Sequence, residues 1–319
     1  MSWRPAATPA ALRRRAQMLR AARAFFEQRA VLEVETPILS AAAVSDPQIE
    51  SLTTRIAGTP RQAYLCPSPE YAMKRLLAAG SGDVYQICKV FRDAEHGRWH
   101  NPEFTMIEWY RIGFDDVALM DEVEELVGQL LSPMRALLSA ERLSYRAAML
   151  RHAGVDAFDA GDAELLDAAM RHGITSQTQL DRDAKLDLLM GLVVGPQLGL
   201  ARPCFICDYP ASQAALARLK VGPPPVAARF ELYLDGLELA NGFHELAHPQ
   251  EQRARFVHDL SVRKARGQIQ TPLDENLLAA LEHGMPDCAG VALGFDRLVA
   301  IALGADSLAD VLSFSIDNA

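Results

Sequence analysis

Apolar positions recur at two spacings along the chain, and the switches between them mark out its elements. Residues 9–29 carry Leu12, Leu19, Ala22 and Phe26 at helical spacing, which predicts a helix. VLEVETPIL (31–39) predicts a strand running into Pro37, and QAYLC (62–66), VYQICKVF (84–91) and EFTMIEWYR (103–111) predict three more. PEYAMKRLLAAG predicts a helix stopped by Gly80, and DDVALMDEVEELVGQLL predicts a longer one after Gly113. An Ala- and Leu-rich stretch over about 140–200 predicts a helical insert. Strands return at 203–209, RFELYLDGLELA (229–240) and GVALGFD (290–296), with helices over 248–266 and 295–304. Strands scattered among helices without regular βαβ alternation predict an α+β fold on an antiparallel sheet, one domain spanning 1–319.

Alternation also puts charge in unexpected places. One face of EFTMIEWYR carries Phe104, Met106, Glu108 and Tyr110; the other carries Glu103, Thr105, Ile107, Trp109 and Arg111. Glu108 beside aromatic rings is a solvated edge residue, is paired with a cation, or is protonated. In LELANGFHEL, Glu238 and Glu245 flank Asn241-Gly242, a dipeptide that permits a turn or bulge and so could aim both acids into one cleft. Glu70 opens a helix, as a cap or as a third wall of that cleft. The opposite sign gathers in FRDAEHGRWH: Arg92 ends a strand, and Arg98 and His100 sit in the loop before the next. Such cations suit either a solvated hairpin or a bound polyphosphate. Arg297 follows Gly294, where a nucleotide can approach the backbone closely. Neither GxxxxGK[ST] nor GxGxxG occurs, so neither of those phosphate loops is available.

Composition narrows the partners. Half of the 319 residues are apolar, which excludes global disorder. Acids outnumber bases 41 to 32, a formal charge of -9 that disfavours a nucleic-acid partner. Six arginines (Arg4, Arg13, Arg14, Arg15, Arg20, Arg23) precede the first acid, Glu27, as a solvated helix face or a docking surface for an acidic partner. The five cysteines are odd in number, and Cys204 and Cys207 fall in an apolar strand-like run, so buried thiols are expected. No signal-type h-region or membrane-length apolar span is present, so a cytoplasmic protein with no membrane partner is expected.

Together these runs resemble the class II aminoacyl-tRNA synthetases, most closely the lysyl branch. VLEVETPIL is similar to the first motif, whose proline (Pro37) accompanies homodimer formation; FRDAEHGRWHNPEFTMIEWYR is similar to the second, GVALGFDRLVAIALG to the third, and ELANGFHEL to the lysyl-type segment. Lysyl-tRNA synthetases carry an anticodon-binding barrel before the first motif. Here that motif falls within the first few dozen residues, which points to the stand-alone, barrel-less members of the branch. That resemblance implies an AMP-forming ligase that uses ATP and Mg²⁺ to activate (R)-β-lysine and joins it to a lysine side chain of elongation factor P, with no tRNA. A minimal synthetase with a different acceptor, and a catalytically silent regulatory relative, are the other readings.

The resemblance also implies roles. Arg92 holds the α-phosphate and the substrate carboxylate, Phe104 and Arg297 sandwich adenine, and Arg98 or His100 reaches the γ-phosphate. Asp93, Ala94, Asn101, Leu239 and Gly294 lie against the nucleotide, and Glu238 sits at ATP and Mg²⁺, with Glu245 sharing the metal or binding an amine. Arg92, Arg297 and Glu238 form the catalytic set. Ser68, Pro69, Glu70, Glu108, Tyr110, Asn241, Glu245 and Ala292 line the amino-acid pocket. A diamino acid brings two ammonium groups, which Glu70, Glu108 and Glu245 can accept, and one carboxylate for Arg92. Two positions depart from the family pattern. Ala94 stands where the second motif has Glu, so either Glu95 takes over or the loop backbone alone reads adenine. Ala292 stands where lysyl enzymes tend to have Gly, a methyl that reshapes the pocket toward the β-isomer.

Overall fold

The computed structural model describes residues 3–58, 61–174 and 180–319. Helix α1 (Pro9–Glu27) starts where the Thr8 hydroxyl accepts from the Ala11 amide and Pro9 takes the first helical position. The strand expected over VLEVETPIL is largely absent. Only β1 (Leu32–Glu33) joins the main sheet, and β2 (Leu39–Ser40) pairs instead with β4 (Gln62–Leu65), itself paired with β3 (Thr53–Arg55). Pro37 between them lacks a ladder donor, so pairing cannot run through it. Helix α2 (Glu70–Ala78) ends before Gly80, whose φ of 85° suits glycine alone. Strands β5 (Val84–Phe91) and β6 (Glu103–Ile112) form the expected antiparallel pair, followed by α3 (Asp116–Leu131).

The stretch read as a helical insert opens with strand β7 (Glu141–Ser144), then runs through α4 (Tyr145–Ala153), α5 (Asp162–Arg171) and α6 (Arg182–Leu189). Its residues 175–179 lie outside the described residues. Strand β8 (Cys204–Pro210) is followed by the short β9 (Leu219–Lys220). RFELYLDGLELA, read as one run, is two strands: β10 (Val226–Leu234) and β11 (Leu237–His244) turn back at Asp235-Gly236, where φ is 51° and 76°. Positive φ at both turn residues gives the strands their right-handed twist, and Asp-Gly is the sequence signal for it. Helices α7 (Pro249–Ala265) and α8 (Glu275–His283) precede β12 (Cys288–Gly294) and α9 (Phe295–Leu303). Helix α8 escaped the sequence reading, although Asp274 caps it by accepting from the Asn276 and Leu277 amides.

The main sheet runs β1-β5-β6-β12-β11-β10-β8-β7, antiparallel from β5 to β8 with a parallel strand at each edge. This bears out the α+β expectation. One face packs on α1, α3 and α9, burying Phe26, Ile107, Trp109, Phe230 and Phe295 in the largest apolar cluster. Trp109 satisfies its indole N–H by donating to Glu122 at 3.0 Å. The opposite face carries two smaller clusters. At the β8–β10 end the insert packs Tyr145, Leu165 and Val194 with Ile206 and Phe243; at the β5–β6 end α2, α7 and α8 pack Met73, Leu77, Phe256 and Leu278 around Tyr110. Between them, over the middle of the sheet, lie polar residues.

Candidate active site

The register defines that polar middle. Gln86, Glu108, Ala292, Asn241 and Glu231 pair successively across β5, β6, β12, β11 and β10, so five side chains stand in one row on one face. The smallest of them, Ala292, is at the centre. Glu238 joins them through a β-bulge. Leu232 pairs with Ala240 but Tyr233 pairs with Glu238, leaving Leu239 as the extra residue. That residue resets the alternation, so Glu238 and Asn241 line the same cavity although an odd number of residues apart. Neither the turn nor the bulge that Asn241-Gly242 permits forms at that dipeptide; both residues pair regularly with β10, and the bulge lies at Leu239. Gly242 is glycine because a Cβ would come within 2.3 Å of the Phe230 ring beneath it.

One cavity, of about 150 Å³, is lined by Arg92, Glu95, Trp99, His100, Asn101 and Phe104 on one side and Glu238, Asn241, Ala292, Gly294 and Arg297 on the other. Arg297 is pinned by the carbonyls of Trp99 and Glu238, at 3.2 and 2.8 Å. Its helix start is held in turn: Asp296 accepts from the Thr105 amide and pairs with Arg15 at 2.6 Å. Arg92 lies 5.1 Å from the Phe104 ring and 3.5 Å from Glu95, and its buried Nε has no hydrogen-bond partner. An arginine on a cavity wall, with a donor that no described residue uses, suits an anionic guest. Residues missed in the sequence supply the roof. Ile49 lines the cavity, and the buried Arg263 holds its loop by donating to the Asp46 and Ile49 carbonyls and to the Glu50 carboxylate. An arginine inside a helix of otherwise mixed polarity gives no periodic signal of such a task.

Several placements differ from expectation. His100 is no cation: its Nε2 accepts from Arg297 at 2.8 Å, and burial together with Arg297 lowers its pKa. Arg98 is turned away, donating to the Asp306 carbonyl at 2.5 Å. Asp93 uses its carboxylate on the Ala94 amide, Ala94 adopts a φ of 59°, and neither lines the cavity. Glu95 does line it, beside Arg92. Arg15, counted among the possible docking arginines, is instead an internal strut between α1, Thr105 and Asp296.

The carboxylates form a second group, with a charge balance that the sequence did not reveal. Glu108 is 2 % exposed and accepts from the Ser68 and Tyr110 hydroxyls, each at 2.7 Å. Glu245 is 1 % exposed and ion-pairs at 2.6 Å with Lys74, which pairs equally closely with Glu70. Gly290 makes the space: a Cβ there would fall 2.2 Å from the Tyr110 ring and 2.6 Å from Glu245 Oε1. Burial pushes Glu108 up to about 7, with the charge of Glu70 adding to it, and burial pushes Glu245 up to about 8 against the pull of Lys74. A larger cavity, of about 330 Å³, opens on Ser68 and Pro69 from the far side, behind the alanine-rich loop at 41–43.

The pairing of Glu238 with Glu245 at one metal does not survive. They lie at opposite ends of β11, roughly 20 Å apart at the rise of an extended strand. The neighbour of Glu238 is Glu231: burial raises Glu238 to about 7, with Glu231 the next cause and Arg297 opposing. Both oxygens of Glu231 are already engaged, by Arg229 at 2.6 Å and the Tyr233 hydroxyl at 2.7 Å, so Glu238 is the carboxylate on the cavity wall that fits a hard divalent cation taking its remaining ligands from phosphates and water. Among the described residues no cluster of three or more His, Cys, Asp or Glu side chains offers a fully protein-built cage. All five cysteines are free thiols.

The raised carboxyls set a pH dependence. A doubly cationic ligand needs Glu108 and Glu245 ionised, so its affinity should climb as pH rises from 6 to 8 and both protons leave. Calorimetry in buffers of differing ionisation enthalpy should record protons released on binding below pH 7; a flat profile without release contradicts the assignment.

Antiparallel sheet, bulged hairpin and a charged cavity beside a buried carboxylate cluster describe a class II synthetase catalytic fold, and comparison with known proteins agrees. The family model for class II tRNA synthetases of the D, K and N group matches residues 1–318, and the chain belongs to that family. Relatives in Edwardsiella ictaluri and Salmonella typhi are each 49 % identical over the whole chain and 98 % of their own length. One from Yersinia enterocolitica is equally similar, and all three are named elongation factor P–(R)-β-lysine ligase. Among the described residues no helix is long and apolar enough to cross a membrane.

Proposed function

We propose that this chain activates (R)-β-lysine with ATP and transfers it to a lysine side chain of elongation factor P. The observation that carries this reading is the adjacency of two oppositely charged sites. Ala292 and Asn241 line the cavity that holds Arg92 and Arg297, and Ala292 is paired directly with Glu108 of the buried carboxylate cluster. A nucleotide and a diamino acid held there lie side by side.

In this reading the ammonium groups of the amino acid bind Glu70, Glu108 and Glu245, which directs its carboxylate toward Arg92. The carboxylate oxygen attacks the α-phosphorus, pyrophosphate departs, and the acceptor ε-amine then displaces AMP from the acyl carbon. Arg92 stabilises charge gathering on the α-phosphate, and Phe104 and Arg297 hold the adenine between them. Glu238 would hold Mg²⁺ together with the phosphates, and the metal when bound would neutralise the leaving pyrophosphate. Neutral amino acids leave buried carboxylates unmatched, which disfavours them by on the order of hundredfold. A homodimer belongs to the same proposal: Leu32, Ile38 and Leu39 are exposed around Pro37, an apolar surface for a second copy.

Mass spectrometry of purified elongation factor P after incubation with this protein, ATP and each lysine isomer tests the function. The expected result is a gain of one lysyl unit with (R)-β-lysine; a gain on tRNA instead favours the minimal-synthetase reading. Ala292→Gly should raise the ratio of α-lysine to β-lysine activation by about tenfold, since one methyl in a pocket is worth roughly that discrimination. An unchanged ratio removes Ala292 from the specificity account.

A further inference from the structure

Lys74 has no role in the chemistry above, yet it occupies the centre of the acid pocket. It is 2 % exposed, and its Nζ lies 2.6 Å from Glu70 Oε1 and 2.6 Å from Glu245 Oε2. Four residues on, along α2, its side chain reaches back over Glu70 and spans to the strand-end Glu245. Burial works against its charge, but Glu245 and Glu70 outweigh it and keep the ammonium protonated. The pocket therefore holds three carboxylates, Glu70, Glu108 and Glu245, and one permanent cation.

We propose that Lys74 is a specificity-determining residue: a built-in counter-ion that leaves the ionised pocket two charges short of neutrality, the deficit that a doubly cationic amino acid fills. The inference rests on the reading of these carboxylates as the amino-acid site. Without Lys74 three close carboxylates cannot all stay ionised around two ammonium groups, and one retains a proton. With it, one ammonium sits 2.6 Å from both Glu70 and Glu245, and Glu245, which burial pushes up to about 8, gives up its proton as the ligand's cations arrive. A monocationic amino acid then leaves one buried carboxylate without a partner, and it is rejected. Lys74 would also stay unreactive toward an acyl-adenylate formed nearby, because a protonated amine has no lone pair to attack with.

Lys74→Met keeps the volume and removes the charge. Calorimetry at pH 7 should show the Kd of the diamino acid rising at least thirtyfold while that of ATP stays within twofold, and discrimination against its monocationic analogue should fall at least tenfold. A diamino-acid Kd within threefold of wild type overturns the proposal. If Lys74→Met loses ATP binding as well, Lys74→Ala supplies the second arm: n-propylammonium should restore diamino-acid binding and n-propanol should not. Equal rescue by both, or by neither, also overturns it. Glu70→Gln and Glu245→Gln separate this failure from that of the pocket itself. If they weaken the diamino acid while Lys74→Met does not, the pocket stands and the counter-ion role falls. If none of the three matters, the pocket reading falls.

Discussion

Arg92→Ala is expected to lower amino-acid-dependent ATP–pyrophosphate exchange by about 10²–10³-fold, the usual loss when a group aimed at developing charge is removed. Arg92 follows the last residue of β5 where the hairpin begins, packs over Phe104, and carries a buried Nε with no partner among the described residues. Its ion pair with Glu95 is 3.5 Å long with both side chains partly exposed, and such a pair contributes little to stability. The substitution should therefore leave the melting temperature within a few degrees while kcat falls. A loss of exchange matched by an equal loss of folded protein would mean that Arg92 holds the hairpin together and has no part in the reaction.

Gly290→Ala should be nearly as damaging, for a steric reason. The new Cβ would meet the Tyr110 ring at 2.2 Å and Glu245 at 2.6 Å, so both must move. Tyr110 is fixed by its bond to Glu108 and by the surrounding apolar cluster, and Glu245 by Lys74. Overpacking of this kind costs about 1–3 kcal/mol of stability. The functional cost should be larger, about a hundredfold in kcat/KM for the diamino acid, because two of its ligands are displaced together. KM for ATP should hold steady, since Gly290 does not line the nucleotide cavity. An equal rise in both KM values would show that the cavities are one.

Much of the architecture was legible because strand alternation survives where a sheet is covered on both faces by different chemistry. EFTMIEWYR could be split correctly into a core side with Ile107 and Trp109 and a site side with Glu108 and Tyr110. What escaped depended on events outside a strand's own pattern. The Leu239 bulge shifts the phase of β11 and cannot be seen without its partner strand. Glu231 carries no signal of its own, since only the Asp235-Gly236 hairpin brings Glu238 beside it. Lys74 carries none either, because its partner Glu245 lies far away in the chain. Of the two roles that the resemblance implies for Glu245, strand length removes the metal shared with Glu238.

The bulge has a consequence for how this protein can change. Leu239 and Ala240 both turn into the apolar cluster while Glu238 and Asn241 both reach the cavity, and the pairing of Asn241 with Glu231 and Ala292 holds whatever the length of the tip at Asp235-Gly236. Loss of Leu239 alone would restore plain alternation, with Glu238 and Asn241 still turned to the cavity and one apolar side chain fewer in the interior. Variation among descendants of this chain should accordingly be generous at the tip and keep an apolar residue at the kink.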